Sequence, residues 1–274
     1  MAGVALRPAR TAFHGLFSRL IFPDNCRCCA KPLQKLTRIP VCQECLDLAA
    51  CPIEAEYQCA RCRAPFLNPE TLNDDGICPA CHAEPEGLDY AWSYGSYDGT
   101  LRRLIHVYKY ERVDTLAGPL ARLLIDALPR DEQFDLIAPM PLHWRKQWDR
   151  GFNQADLLAR EVADWTGIPY EGRLLRRVKA SPAQAGLSFA ARQSNVKGVF
   201  RVRRNSVPGK HVLLIDDVLT TGATAASAAR LLRRTGGASR VSILTLARAD
   251  RRFAWKVGPE PIYTKKRAAR AAGA

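Results

Sequence analysis

Long apolar runs are missing from this 274-residue chain. None approaches the roughly 18 residues needed to span a bilayer, and no uninterrupted apolar core precedes a small-residue cleavage site. A membrane-spanning or secreted protein is therefore not expected, and a cytoplasmic location is. Cysteine is absent from the 193 residues after Cys81, although the chain has ten. Disulfides scattered through a fold would not be so confined, and a reducing compartment disfavours them. Carboxylates are absent from two stretches. Residues 1–23 carry Arg7, Arg10 and Arg19 with no acid, and residues 172–215 hold ten basic side chains and none. A G-K-[ST] sequence is also lacking, which excludes a Walker A loop.

What is present follows from these gaps. Lys and Arg number 41 against 27 Asp and Glu, a net charge of +14 that favours anionic partners such as phosphates, nucleic acid or a membrane surface. With 47% hydrophobic residues the chain can bury one sizeable core and keep room for a smaller unit. In residues 1–23, Leu16, Phe17, Leu20 and Ile21 fit one helix face, which reads as a docking helix; a targeting or membrane-surface segment is the alternative.

All the cysteines lie between Cys26 and Cys81, and eight fall into C-x2-C pairs: Cys26/Cys29 with Cys42/Cys45, then Cys59/Cys62 with Cys78/Cys81. The surroundings repeat as well, CRCCAKPL against CARCRAPF and VCQEC against ICPAC. A C-x2-C turn sets two thiolates on one side of a loop, and two such turns complete a tetrahedron around Zn²⁺. Two structural zinc sites are expected over residues 24–86, with disulfides or thiol redox chemistry as the alternatives. Cys28 and Cys51 are left over and read as small buried hydrophobes. His82 is a possible substitute ligand beside Cys81.

From about Leu88 the texture changes to short apolar strands alternating with helices. DYAWSY, DLIA, GVFRV, HVLLI and VSILTLA read as strands. Helices are expected over 101–108, 113–128, 153–165 and 222–235, the third with Leu158, Ala159, Val162 and Trp165 on one face and a stop at Thr166-Gly167. The alternation predicts an α/β domain over residues 87–249, a parallel sheet with helices on both faces and ligands at the carboxyl ends of its strands. A basic Ala/Arg-rich tail occupies 250–274.

HVLLIDDVLTTGAT, residues 211–224, carries the most chemistry. Four apolar residues deliver Asp216 and Asp217 to a strand's carboxyl edge, where bare burial would cost several kcal/mol or more. Thr220, Thr221, Gly222, Ala223 and Thr224 then offer hydroxyls and backbone N–H groups at a helix start, suited to a phosphate. A phosphate with a diol beside it is a ribose 5-phosphate. An N-capped helix after a strand is the plain alternative. The loop PMPLHWRKQWDRGFNQ, with His143, Arg145, Lys146 and Arg150, suits the far end of the same ligand. Lys109 in HVYKY is a further candidate cation, and the Ser-Pro-Ala-Gln-Ala-Gly run beginning at Ser181 reads as a loop that closes over the site.

These motifs resemble, first, the signature of type I phosphoribosyltransferases. Taken with the paired C-x2-C motifs, PLHWRKQWDRGFNQ and QAGLSFAARQSNVKGVF, the chain is similar to the ComF/GntX family over roughly residues 22–248. That resemblance implies an N-terminal double zinc ribbon joined to a type I phosphoribosyltransferase fold. It further implies that Asp216 and Asp217 address the ribose hydroxyls, directly or through Mg²⁺, while residues 220–224 hold the 5′-phosphate of phosphoribosyl pyrophosphate. A link to DNA uptake is implied, with single-stranded DNA and uptake proteins as partners. A non-catalytic single-strand binder and a ligand-gated regulator are the alternative functions.

Overall fold

The computed structural model describes residues 25–33, 38–50, 57–61, 65–66, 69–78, 81–82, 87–143, 148, 151–178, 198–220 and 222–248. The expected N-terminal helix, the closing loop, the C-terminal tail and the residues Cys51, Cys62, Arg145, Lys146, Arg150 and Thr221 lie outside them.

The cysteine-rich region contributes helix α1 (Gln43–Ala49) and a short antiparallel pair, β1 (Tyr57–Gln58) with β2 (Pro65–Phe66). Beyond it come β3 (Ala91–Ser96), α2 (Gly99–Tyr110), α3 (Ala117–Asp126), β4 (Leu136–Pro139), α4 (Gln154–Thr166), β5 (Leu175–Arg177), β6 (Phe200–Val202), β7 (His211–Leu219), α5 (Ala223–Leu231) and β8 (Arg240–Arg248). Strands β3, β8, β7 and β4 form one sheet in that order, every pairing parallel. Tyr170 adds a single parallel bridge to Ile137 on the outer side of β4.

Residue alternation assigns the two faces. Leu213, Ile215, Leu244 and Leu246 pack with α2, α3 and α4 through Leu104, Leu120 and Leu158. Val212, Leu214, Val241 and Ile243 pack with α5 and with Phe200 and Leu175 on the other side. Adjacent side chains of a strand point oppositely, so a strand buried on both faces needs an unbroken apolar run, and Val212–Ile215 supplies it. Each such side chain contributes roughly 1.5–3 kcal/mol of burial.

Several elements differ from the sequence expectation. β7 does not stop at Ile215 but runs through both acids to Leu219, because its backbone keeps pairing with β8 at Thr245, Ala247 and Arg248. The GVFRV strand is not part of the parallel sheet: β6 pairs antiparallel with β5 in a separate two-stranded ribbon. The helix expected over 113–128 is a 3₁₀ turn at Asp114–Leu116 followed by α3, and the one expected over 222–235 is α5 followed by a π turn at Leu232–Gly236. Helix α4 begins at Asn153, whose Oδ1 accepts the Ala155 N–H at 3.2 Å, and ends at Gly167 in the left-handed region at φ 73°. Trp165 is not on the buried face but 72% exposed. The buried stripe closes at Ala163, and after the Gly167 turn Ile168 packs against the core instead.

The two cysteine groups sit against different faces of the sheet. Cys26, Val41, Cys45 and Ala49 share the core of α2 and α3. Cys59 and Cys78 share the core of α5 and the ribbon. Among the described residues no helix is long and apolar enough to cross a membrane.

Candidate functional site

Three backbone features build a cavity at the carboxyl end of β7. The Met140 N–H donates to the Ile215 carbonyl at 2.9 Å, so the loop leaving β4 runs beside Asp216. Asn153 Nδ2 donates to the Met140 carbonyl at 3.2 Å, tying that loop to the start of α4. The Tyr108 hydroxyl donates to the Gln154 carbonyl at 2.9 Å, tying α2 to the same point. The enclosed volume is about 190 Å³, and Asp216, Asp217, Thr220, Gly222, Thr224 and Lys109 line it. Gly222 has φ 76°, a left-handed turn that a side chain would strain, and this bend turns the chain into α5.

Charges of both signs line the cavity. Lys109 Nζ lies 2.7 Å from an Asp217 carboxylate oxygen, with both side chains 12% exposed. Burial works against the Lys109 charge, yet the Asp217 carboxylate outweighs it and the ammonium's pKa lies above its usual value. Burial, then the neighbouring Asp217 carboxylate, pushes Asp216 up to about 7, although Lys109 and Arg177 pull the other way. Asp216 Oδ1 accepts the Asp217 N–H at 2.9 Å. Lys109 and Arg177 oppose the two carboxylates, and Asp216, still raised to about 7, is a group whose ionised form hydroxyl donors or a cation would stabilise.

Sequence-predicted residues are distributed as follows. The structure brings Asp216, Asp217, Thr220, Gly222, Thr224 and Lys109 together, whereas Ala223 is buried at the start of α5 and His143 is buried outside the cavity wall. Lys109, read as a candidate ligand, lines the cavity and pairs with Asp217. Arg177 and Asn153 also line the cavity, and neither stood out in the sequence. Arg177 was one of ten cations in an acid-free stretch; its place at the end of β5, with burial opposing its charge, distinguishes it.

The cysteines form two groups. The sulfurs of Cys26, Cys29, Cys42 and Cys45 lie within 4.8 Å of one another, as do those of Cys59, Cys78 and Cys81. Two of the distances, 4.0 Å for Cys26 to Cys45 and 3.6 Å for Cys29 to Cys42, bracket the separation of about 3.8 Å that Zn–S bonds of about 2.3 Å give in a tetrahedron. Backbone N–H groups of Cys28 and Cys42 point at Cys26 Sγ, at 3.4 and 3.3 Å, and the Cys78 N–H at Cys59 Sγ, at 3.3 Å. Such donors favour thiolate, and the residues present fit zinc. Cys28 is half-buried against the first core with its thiol hydrogen-bonded to Cys45, outside the set of four mutually close sulfurs, and His82 is exposed.

A phosphoribosyl transferase domain model matches residues 149–262. DNA utilization protein YhgH of Salmonella typhimurium is 33% identical over 226 residues, 80% of this chain and 95% of that protein. The chain belongs to the ComF family. Competence protein F of Haemophilus influenzae, another ComF-family relative, is 37% identical over 180 residues, covering 63% of this chain and 78% of its own. Among solved structures, adenine phosphoribosyltransferase from Thermoanaerobacter pseudethanolicus aligns with 52% of this chain and 83% of its own, at 21% identity and a TM-score of 0.32. In this ComF-family chain the matched model begins just before α4 and takes in the ribbon, β7 and the acid pair.

Proposed function

We propose that this chain binds phosphoribosyl pyrophosphate, or a closely related ribose 5-phosphate, in the cavity between α2 and β7. The observation that carries this reading is the convergence of Asp216, Asp217, Thr220, Gly222 and Thr224 on one volume of about 190 Å³. In this reading the backbone and hydroxyls of residues 220–224 hold the 5′-phosphate, and ionised Asp216 accepts from a ribose hydroxyl. Asp217, held by Lys109, orients the sugar from the other side of the strand. Mg²⁺ entering with the ligand would neutralise pyrophosphate oxygens. The reaction such binding serves is phosphoribosyl transfer: the bond from C1′ to the pyrophosphate oxygen breaks, one from C1′ to an acceptor forms, and pyrophosphate leaves.

The biological setting comes from relatives named for competence and DNA utilization. We extend it to this chain as a role in handling incoming DNA, with single-stranded DNA and uptake proteins as partners. The net charge of +14 supports an anionic partner. The zinc expected in the cysteine sites is structural in this reading, since four thiolates leave no open position.

Thermal unfolding with and without phosphoribosyl pyrophosphate and Mg²⁺ tests the binding. At ligand about 100 times the Kd, the parent gains roughly 2.7 kcal/mol of stability and melts higher, whereas Asp216→Asn does not. An unshifted parent melting temperature at millimolar ligand would remove the proposal.

A further inference from the structure

A second cavity, of about 540 Å³, lies beside the ribbon toward the amino ends of β4 and β7, away from the acid pair. Its rim carries Arg173, Arg176, Arg201, Arg203 and Lys210 against one carboxylate, Glu171. Arg176 and Arg201 are direct cross-strand partners in the β5–β6 ribbon, so their guanidinium groups stand on the same face. Like charges directly opposite on a two-stranded ribbon are destabilising. None of the five cations forms an ion pair among the described residues. A ribbon built this way is relieved by an anion with several charges held between the two strands.

The rest of the wall narrows the class of anion. Leu136, Leu174 and Val207 are buried and form an apolar floor. The Ser206 hydroxyl in the same wall is buried with no hydrogen-bond partner among the described residues. A volume between about 300 and 1,000 Å³ suits a molecule of nucleotide size. Among the described residues no aromatic side chain lines the cavity, although single-stranded nucleic acid is normally gripped by stacking bases on such platforms along a groove. A basic-rimmed, apolar-floored pocket of this size fits one nucleotide better than a strand passing through.

We propose that this cavity is a binding site for a nucleoside di- or triphosphate, the phosphates between Arg176 and Arg201 and the base against Leu136, Leu174 and Val207. It is separate from the ribose phosphate cavity, with which it shares no lining residue. Arg176 and Arg177 are adjacent in β5, and Arg177 lines the other cavity.

Calorimetric titration of the full chain with ATP, with tripolyphosphate and with a single-stranded oligonucleotide tests this. ATP should bind with a stoichiometry of one and at least tenfold more tightly than tripolyphosphate, because only ATP uses the apolar floor. Arg176→Ala combined with Arg201→Ala should weaken ATP at least tenfold while its melting temperature stays at or above the parent's. Asp216→Asn should leave ATP affinity unchanged, which separates this site from the one proposed above. Absence of ATP binding, ATP affinity indifferent to the arginine pair, ATP affinity lost in Asp216→Asn, or oligonucleotide binding without ATP binding would each overturn the proposal.

Discussion

The cysteine-rich region and the sheet solve the problem of stability by different means. β7 buries Val212, Leu213, Leu214 and Ile215 completely, and the fold around it is held by apolar contact on both faces. The region before it has a seven-residue helix and two-residue strands, too little to bury a core of its own. Borrowed core compensates, together with the zinc proposed for the two cysteine groups. Cys26 and Cys45 lean on α2, Cys59 and Cys78 on the opposite face, so the region docks at two points instead of standing alone. The lesson lies in α2. One side of it receives the first cysteine cluster, and its last turn sends Lys109 to Asp217.

Removing metal is the most drastic way to break this contrast. Structural Zn²⁺ contributes on the order of 10 kcal/mol to small domains. Chelation should abolish hydrogen-exchange protection over 41–50 while Val212–Ile215 stay protected; loss of both together would mean the two regions form one cooperative unit. Lys109→Met comes next. It leaves Asp217 buried and unpaired and should cost about 3–5 kcal/mol in urea unfolding. In the double variant Lys109→Met, Asp217→Leu most of that loss should be recovered, since replacing a buried pair by apolar groups is often neutral.

How much of this was legible beforehand depends on whether a local pattern or a distant partner decides the residue. The cysteine pairs, the strand entering the acids, the helix starting near residue 153 and its stop at Gly167 are local, and each could be read from spacing and residue type. The ribbon was not legible. LRR buries Leu175 and half-buries Arg177 on one face with Arg176 exposed on the other, and FRV buries Phe200 with Arg201 exposed, so neither shows the unbroken apolar run of β7. Lys109 could be named as a candidate cation but its partner could not, because a lysine in a helix's last turn is a common surface feature. Its function depends on Asp217, 108 positions away. The continuation of β7 past Ile215 depends likewise on β8.

Smaller effects sharpen the comparison within the sheet region. Asp216 has a folded pKa of about 7 against an ordinary value near 3.8. The folded state binds this proton more tightly than the unfolded one, so the contribution is fully present below about pH 4 and is lost as pH rises toward and through 7. Asp216→Asn should therefore flatten the decline in ligand-free stability between pH 4 and 8, and at pH 8 should melt above the parent; parallel pH profiles would show that Asp216 ionises without cost. The smallest effect expected is at the junction of the two regions. Arg27 and Glu111 pair at 3.0 Å with side chains 39% and 38% exposed. Arg27→Ala should cost at most about 0.2–1 kcal/mol, and a larger loss would show that docking on α2 relies on this ion pair rather than on buried contact.

The central claim, that the acids and the turn after them hold a ribose 5-phosphate, is tested most directly by calorimetric titration of the parent and Asp216→Asn with phosphoribosyl pyrophosphate and Mg²⁺ at pH 8. The account predicts one bound ligand in the parent and at least a hundredfold loss of affinity in the variant. Equal affinity in the two proteins, or no heat of binding in the parent, would contradict it.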